Sequence, residues 1–173
     1  MTRRIIAITL ILVVFLAGCS QTNEAVAKEA EEFLVSQLEV FKNADKEQTD
    51  EVLGKSKNDL GGVDMSLYYK YFDYEIVKTS ASDNKADVKL KVKNLDFATL
   101  MEDYYEALIP YLASSMQDPE KPAEILKELV ESGEYKVIEA DATIPLTKKD
   151  GVWTIDNTES FMAALLPGIE PIV

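Results

Sequence analysis

The clearest structural pattern in the chain is the stretch KADVKLKVKNLDF (Lys85–Phe97). From residue 86 to residue 93, apolar and polar side chains alternate without a break. A period of two predicts a β-strand with one buried face and one solvent-exposed face. The inward positions are Ala86, Val88, Leu90 and Val92, and the outward positions are Asp87, Lys89, Lys91 and Lys93. Asp96 follows as a suitable N-cap for a helix that begins at Phe97.

Three further segments read as strands around this one. Residues 71–79 place Phe72, Tyr74 and Ile76 on one face. The polar turn at 80–85 joins this strand to the alternating strand at 86–93, and the two are expected to form an antiparallel hairpin. Residues 134–147 form a long strand, with a bulge expected near Val137, where the alternation changes phase. The Asp-Gly turn within KKDG (148–151) then returns the chain along 152–156.

Helical spacing of apolar residues predicts five helices. The first is long, begins after the N-cap Asn23 and runs to about residue 43, and a short one covers 46–53. The third is expected to be kinked or interrupted by Pro110, and the fourth (120–132) to have Pro119 in its first turn and Gly133 as its stop. The last runs through Leu166, capped by Asn157 or Thr158. The third helix's predicted core-facing stripe is Phe97, Leu100, Met101, Tyr104, Tyr105, Leu108 and Leu112.

These elements predict an α+β fold. Four antiparallel strands are covered by the long N-terminal helix, and a helical pair is inserted between two β-hairpins. The segments YKYFDYEI (69–76), KADVKLKVKNLDF (85–97) and KKDGVWTIDN (148–157) resemble cystatin-like and nuclear-transport-factor-2-like folds. The inserted helical pair departs from the plain cystatin arrangement. The resemblance covers most of residues 24–166 and implies a concave sheet surface able to form a pocket.

The N-terminus carries a sorting signal. Arg3 and Arg4 precede an apolar run at 5–17, broken only by Thr9. As a helix this run spans ~20 Å, short of the ~30 Å hydrocarbon core, so it is typical of a signal peptide. The next stretch, Leu16-Ala17-Gly18-Cys19, resembles the lipobox of bacterial lipoproteins. The alternatives are an ordinary secretory signal with an incidental cysteine and an uncleaved membrane helix.

The lipobox resemblance implies a lipid anchor. It implies that diacylglycerol is attached to the Cys19 thiol and that the chain is cleaved between Gly18 and Cys19. Residues 1–18 would be the signal peptide, 19–23 the lipidated cysteine with a short tether, and 24–173 a single domain. The partner would be the lipid bilayer, because two or more acyl chains anchor a protein stably. The expected location is the extracytoplasmic face of a cell membrane, and a domain without disulfides favours a Gram-positive bacterium.

Composition excludes several classes of function. The chain of 173 residues has 18 Lys and Arg against 31 Asp and Glu, a net charge of −13, with no histidine and one cysteine. A chain this acidic is not expected to bind nucleic acid. The chain therefore lacks the cysteine and histidine ligands that zinc, haem and iron–sulfur sites need. It also lacks the histidine that serves as the base in many catalytic sites. The acidic loop at 83–87 lacks the glycine and terminal glutamate of an EF-hand, so we predict neither a metal nor a cofactor.

Two groups of side chains are candidates for a binding site. The aromatic residues Tyr74, Tyr104, Tyr105 and Trp153 could line a pocket, although packing in the core is the favoured interpretation. The basic stripe, Lys85, Lys89, Lys91 and Lys93, could contact anionic headgroups or cell-wall polymers. The favoured alternative is cross-strand pairing of the stripe with Asp73 and Glu75.

The sequence favours a non-catalytic domain that binds a small ligand or another envelope protein. An enzyme would need pocket carboxylates or tyrosines, with at least one Asp or Glu buried so that its pKa rises. A third hypothesis is a structural envelope scaffold. A sheet face filled with side chains would favour protein interaction over ligand binding.

Overall fold

The computed structural model describes residues 23–43, 46–53, 65–113 and 118–168. The predicted signal peptide, Gly18, Cys19, the tether up to residue 22 and the last five residues of the predicted domain lie outside these ranges. The helices are α1 (Glu24–Lys42), α2 (Lys46–Leu53), α3 (Ser66–Tyr69), α4 (Phe97–Ala113), α5 (Lys121–Glu131) and α6 (Thr158–Leu165). The strands are β1 (Asp73–Ser82), β2 (Lys85–Leu95), β3 (Val137–Lys149) and β4 (Val152–Ile155). No helix in the described ranges has the length and hydropathy needed to cross a bilayer.

The strands form one antiparallel sheet in the order β1-β2-β3-β4. Each strand pairs with the next along the chain, and the helical pair α4 and α5 is inserted between β2 and β3. The predicted α+β fold class is therefore confirmed, including the two hairpins and the insertion.

The core lies between the sheet and α1. Val88 pairs with Ile144 across β2 and β3, and both side chains are fully buried. Helix α1 covers this face with Ala30, Leu34, Leu38 and Phe41, all 0% exposed. At roughly 1.5–3 kcal/mol for each large apolar side chain removed from water, this contact stabilises the sheet strongly. The long N-terminal helix is the cover that the sequence predicts.

Local capping signals were predicted correctly. The Asn23 side chain accepts a hydrogen bond from the Val26 amide, and the Asn157 side chain accepts from two amides at the start of α6. Asp96 caps α4 by accepting from the Thr99 amide at 3.3 Å. In the Asp150-Gly151 turn both residues have positive φ, 51° and 83°, as a tight hairpin turn requires.

Two predictions about the strands were wrong. Tyr71 and Phe72 precede β1, which begins at Asp73, and a register shift that was not predicted lies between Ile76 and Lys78. The bulge expected near Val137 is absent, because β2 and β3 pair without a break from Lys85↔Thr147 to Leu95↔Val137. Residue 135 precedes the strand, and Val137 is an apolar residue at an outward position, 51% exposed, so the alternation of β3 does not change phase.

The helical insertion also differs from its prediction. Helix α4 continues through Pro110 to Ala113, so the proline does not end it. Pro110 lies near the exposed end of α4, so little of the helix follows the proline. Helix α5 begins at Lys121 with Pro122, rather than Pro119, in its first turn. Gly133, with φ of 72°, follows α5 as predicted.

Candidate functional site

The covered face of the sheet is filled with side chains. Val88 and Val92 on β2 are 0% exposed, and Leu90 between them is 1% exposed. They lie in one core cluster with the apolar residues of α1. Among the described residues this face is packed rather than open.

Tyr74 lies at the interface of α1 and β1. Its hydroxyl donates to Glu39 of α1 at 2.7 Å, and its ring stacks on Phe72 with centroids 6.0 Å apart. The Lys42 ammonium lies 5.6 Å from the centroid of the same ring. Burial, reinforced by the hydrogen bond to Glu39, raises the pKa of the Tyr74 hydroxyl. These contacts fasten α1 to the sheet.

Tyr104 and Tyr105 are neighbours in sequence but have different surroundings. Tyr104 is 4% exposed, whereas Tyr105 is 58% exposed, and their ring centroids are 5.8 Å apart. Leu112, also predicted to face the core, is 73% exposed. The predicted stripe was too wide, because successive helical residues turn by about 100° and only one side of α4 meets the core.

Trp153 is 6% exposed and lines a cleft of about 320 Å³ with residues of α1, α2 and α6. Lys148 lies 5.7 Å from its ring centroid and forms an ion pair with Glu29. The pKa of Glu29 is lowered, mainly by the hydrogen bond and charge of Lys148. The Trp153 indole N–H is buried and has no acceptor in hydrogen-bond geometry within the described chain.

The four predicted aromatic residues therefore occupy three separate places. Tyr74 belongs to the α1–β1 contact, the two α4 tyrosines to the helical insertion, and Trp153 to the cleft beside β4. Two other clefts, of about 560 and 430 Å³, lie beside the β1–β2 turn and between β3 and α6. None of these three clefts is lined by Tyr74, Tyr104 or Tyr105.

The uncovered face of the sheet carries rows of opposite charge. Lys93 lies between Asp73 and Glu139 and pairs with Glu139 at 2.8 Å. The pair lowers the pKa of Glu139 and raises that of Lys93, chiefly through the hydrogen bond. Lys91 lies in the same way between Glu75 and Asp141. Asp73 and Glu75 do lie opposite the basic stripe as predicted, so much of its charge is matched.

The sequence did not reveal two members of these rows. Glu139 and Asp141 are on β3, and their places opposite β2 depend on a register that spans the helical insertion. The next row differs, since Lys89 lies opposite Lys78 on one side and Thr143 on the other. This row is the least neutralised part of the stripe.

The carboxylates of the described residues are at least partly exposed. Among the described residues, the polar residues that are buried are Thr49 and Asn94. Asn94 donates to the Leu165 carbonyl at 3.0 Å and thereby joins β2 to α6. The Asp and Glu residues whose pKa is shifted are Glu29, Asp73 and Glu139. In each of them the pKa is lowered. The described part of the chain holds no group of three or more candidate metal ligands.

No family model and no curated protein matches the chain. Among solved structures, the chain is similar to the crystal structure of a proposed lipoprotein (ycdA) from Bacillus subtilis, with 19% identity and a TM-score of 0.40. The match covers 84% of this chain and 45% of that one, so this chain spans less than half the length of its match. The cystatin-like and nuclear-transport-factor-2-like resemblance is not confirmed and stays a prediction.

Proposed function

We propose that this protein is a lipid-anchored lipoprotein on the extracytoplasmic face of a Gram-positive cell membrane, and that its domain binds another envelope protein without catalysis. The observation that carries the anchor is the position of the chain's one cysteine. Cys19 directly follows a charged start, a short apolar run and the small pair Ala17-Gly18. The domain itself has no thiol, as expected of a protein that does not depend on disulfides.

The start of α1 supports one orientation of the domain on the membrane. The tether from Cys19 to Asn23 spans at most ~14 Å. The Asn23 amide donates to the Ala81 carbonyl at 3.4 Å, beside the turn that joins β1 and β2. The Lys148 amide donates to the Asn84 carbonyl at 2.7 Å, so the β3–β4 turn lies at the same end. We infer that both hairpin turns face the lipid.

The binding role is supported by the packed sheet face and the exposed carboxylates. A small-ligand site buries most of the surface of its ligand, whereas each of the three clefts described above is open to solvent. General acid or base catalysis would need a carboxylate with a raised pKa, whereas the shifted carboxylates above are lowered. A surface that recognises a protein requires neither feature.

The anchor is tested by the mass of the native product and by one substitution. We expect the mature protein to begin at Cys19 and to carry a diacylglyceryl group. Cys19→Ser removes the acceptor sulfur and should leave the chain unprocessed, with residues 1–18 still attached. Ser20→Ala is the matched control and should be lipidated normally. A native product with a free thiol and its initiator methionine would refute the proposal.

A further inference from the structure

The second half of α4 presents an apolar surface to solvent. Tyr105, Ile109 and Leu112 are 58%, 64% and 73% exposed. Their spacing of four and three residues places them on one side of the helix. We call these three residues the α4 stripe. Large apolar side chains gathered in this way are typical of an interaction site.

The first half of the same helix holds it to the domain. Phe97, Leu100, Met101 and Tyr104 are at most 8% exposed, whereas no residue from 105 to 113 is buried. Asp103 accepts a hydrogen bond from the Tyr135 hydroxyl at 2.8 Å, which fixes the helix next to β3. The first half of α4 therefore holds the helix, and with it the α4 stripe, in a fixed position on the domain.

The charged side chains of α4 itself all have one sign. Helix α4 contains Glu102, Asp103 and Glu106 but no lysine or arginine. Asp103 is engaged by Tyr135, and Glu102 and Glu106 are exposed one turn from stripe residues. A partner that covers the stripe brings its own side chains against these two carboxylates. Electrostatic complementarity therefore requires cations at the edge of that partner.

We propose that the α4 stripe docks a basic amphipathic segment of another protein, with apolar residues on Tyr105, Ile109 and Leu112 and lysines or arginines beside Glu102 and Glu106. A second copy of this chain fits poorly, because it would place two acidic helices together on a chain of net charge −13.

The bilayer fits poorly as well. Helix α4 begins at the end of β2 that is remote from the hairpin turns, and an 11-residue strand spans ~35 Å. The acidic residues of α4 would also be repelled by anionic lipids. This inference rests on the proposed protein-binding role and names the surface that performs it.

Photo-crosslinking from the native lipoprotein in its own host tests the inference. A photoreactive amino acid replaces Ile109, and a second variant carries it at Val152, which is 63% exposed on β4. We expect an adduct from position 109 that maps to another protein's segment with net positive charge and helically spaced apolar residues. Glu102→Lys with Glu106→Lys should reduce the adduct several-fold, whereas Glu51→Lys with Glu159→Lys, a matched charge change elsewhere, should leave it unchanged.

Several results would overturn the inference. One is an adduct that maps to a second copy of the chain, to lipid or to an acidic segment. Another is a yield of crosslinked protein from position 109 that is no greater than the yield from position 152. If position 152 captures a protein and position 109 does not, the α4 stripe is excluded while the protein-binding role survives. Urea unfolding midpoints equal to that of the parent protein exclude misfolding as the reason for a lost adduct.

Discussion

Helices α1 and α4 have similar lengths and similar apolar spacing but very different surroundings. Leu34 and Leu38 at the centre of α1 are 0% exposed, whereas Leu112 of α4 is 73% exposed. Helix α1 lies across β1 and β2, while α4 packs mainly against the shorter helix α5. Apolar periodicity therefore identifies a helix face, but the neighbouring elements decide whether that face is covered.

The two helices also differ in the charges that they carry. Helix α1 carries both signs, and Lys42 near its end pairs with Asp73 of β1 at 2.8 Å. Helix α4 carries only acidic residues. The mixed helix is held to its own sheet by apolar and charged contacts together. The acidic helix has an apolar face that its own chain leaves uncovered within the described residues.

The largest difference between the helices should appear when a core leucine of α1 is shortened. Leu38→Ala leaves a cavity against the sheet and should lower the free energy of unfolding by about 2–5 kcal/mol. Urea unfolding followed by circular dichroism measures the change. Glu32→Ala on the exposed side of α1 is the control and should cost about 0.5 kcal/mol or less. Equal losses in the two variants would show that α1 is not part of the core.

Removing the helix caps should give an intermediate effect. Asp96→Ala removes two hydrogen bonds to Thr99, and Asn23→Ala removes one longer bond to Val26. Each loss should cost about 0.5–2 kcal/mol, with the larger cost at Asp96. Hydrogen exchange should show faster opening of α4 in Asp96→Ala, because the sheet holds α1 but not the second half of α4. Asp96→Asn keeps an acceptor and should restore slow exchange; a larger effect at Asn23 would contradict this ranking.

Local signals were enough to predict most of the elements. Helix α2 has the predicted bounds, Lys46–Leu53, and the alternation of β2 identified both of its faces. Helix α3 was missed, because Tyr68 and Tyr69 belong to an aromatic run that is equally typical of a strand. Both residues are buried, so tertiary packing overrides the local preference.

The candidate site was much less predictable than the fold. Residue type marked Tyr104 and Tyr105 as equivalent, yet a rotation of about 100° separates a core position from a solvent position. Glu139 could not be matched with Lys93 from sequence, because their pairing depends on a register set across two intervening helices. Contacts between distant segments decide both cases, and one sequence does not reveal them.

The ion pair between α1 and β1 predicts a small dependence of stability on pH. The Lys42 hydrogen bond lowers the pKa of Asp73 below its ordinary value of 3.8. The folded state therefore holds a proton on Asp73 less tightly than the unfolded chain does. Its stabilisation is present above 3.8 and is lost as the pH falls below that value. Asp73→Asn should lower the urea midpoint slightly at neutral pH, and this difference should disappear in acid. A difference that persists in acid would assign the effect to packing instead.

The smallest effect on stability is expected at the α4 stripe. Leu112→Ala removes a side chain that is 73% exposed and should change the free energy of unfolding by no more than about 0.5 kcal/mol. The same urea experiment that measures Leu38→Ala provides the comparison. A loss near that of Leu38→Ala would mean that other parts of the chain cover Leu112 in solution. In that case α4 would be a second core helix like α1, and the stripe would have no free surface for a partner.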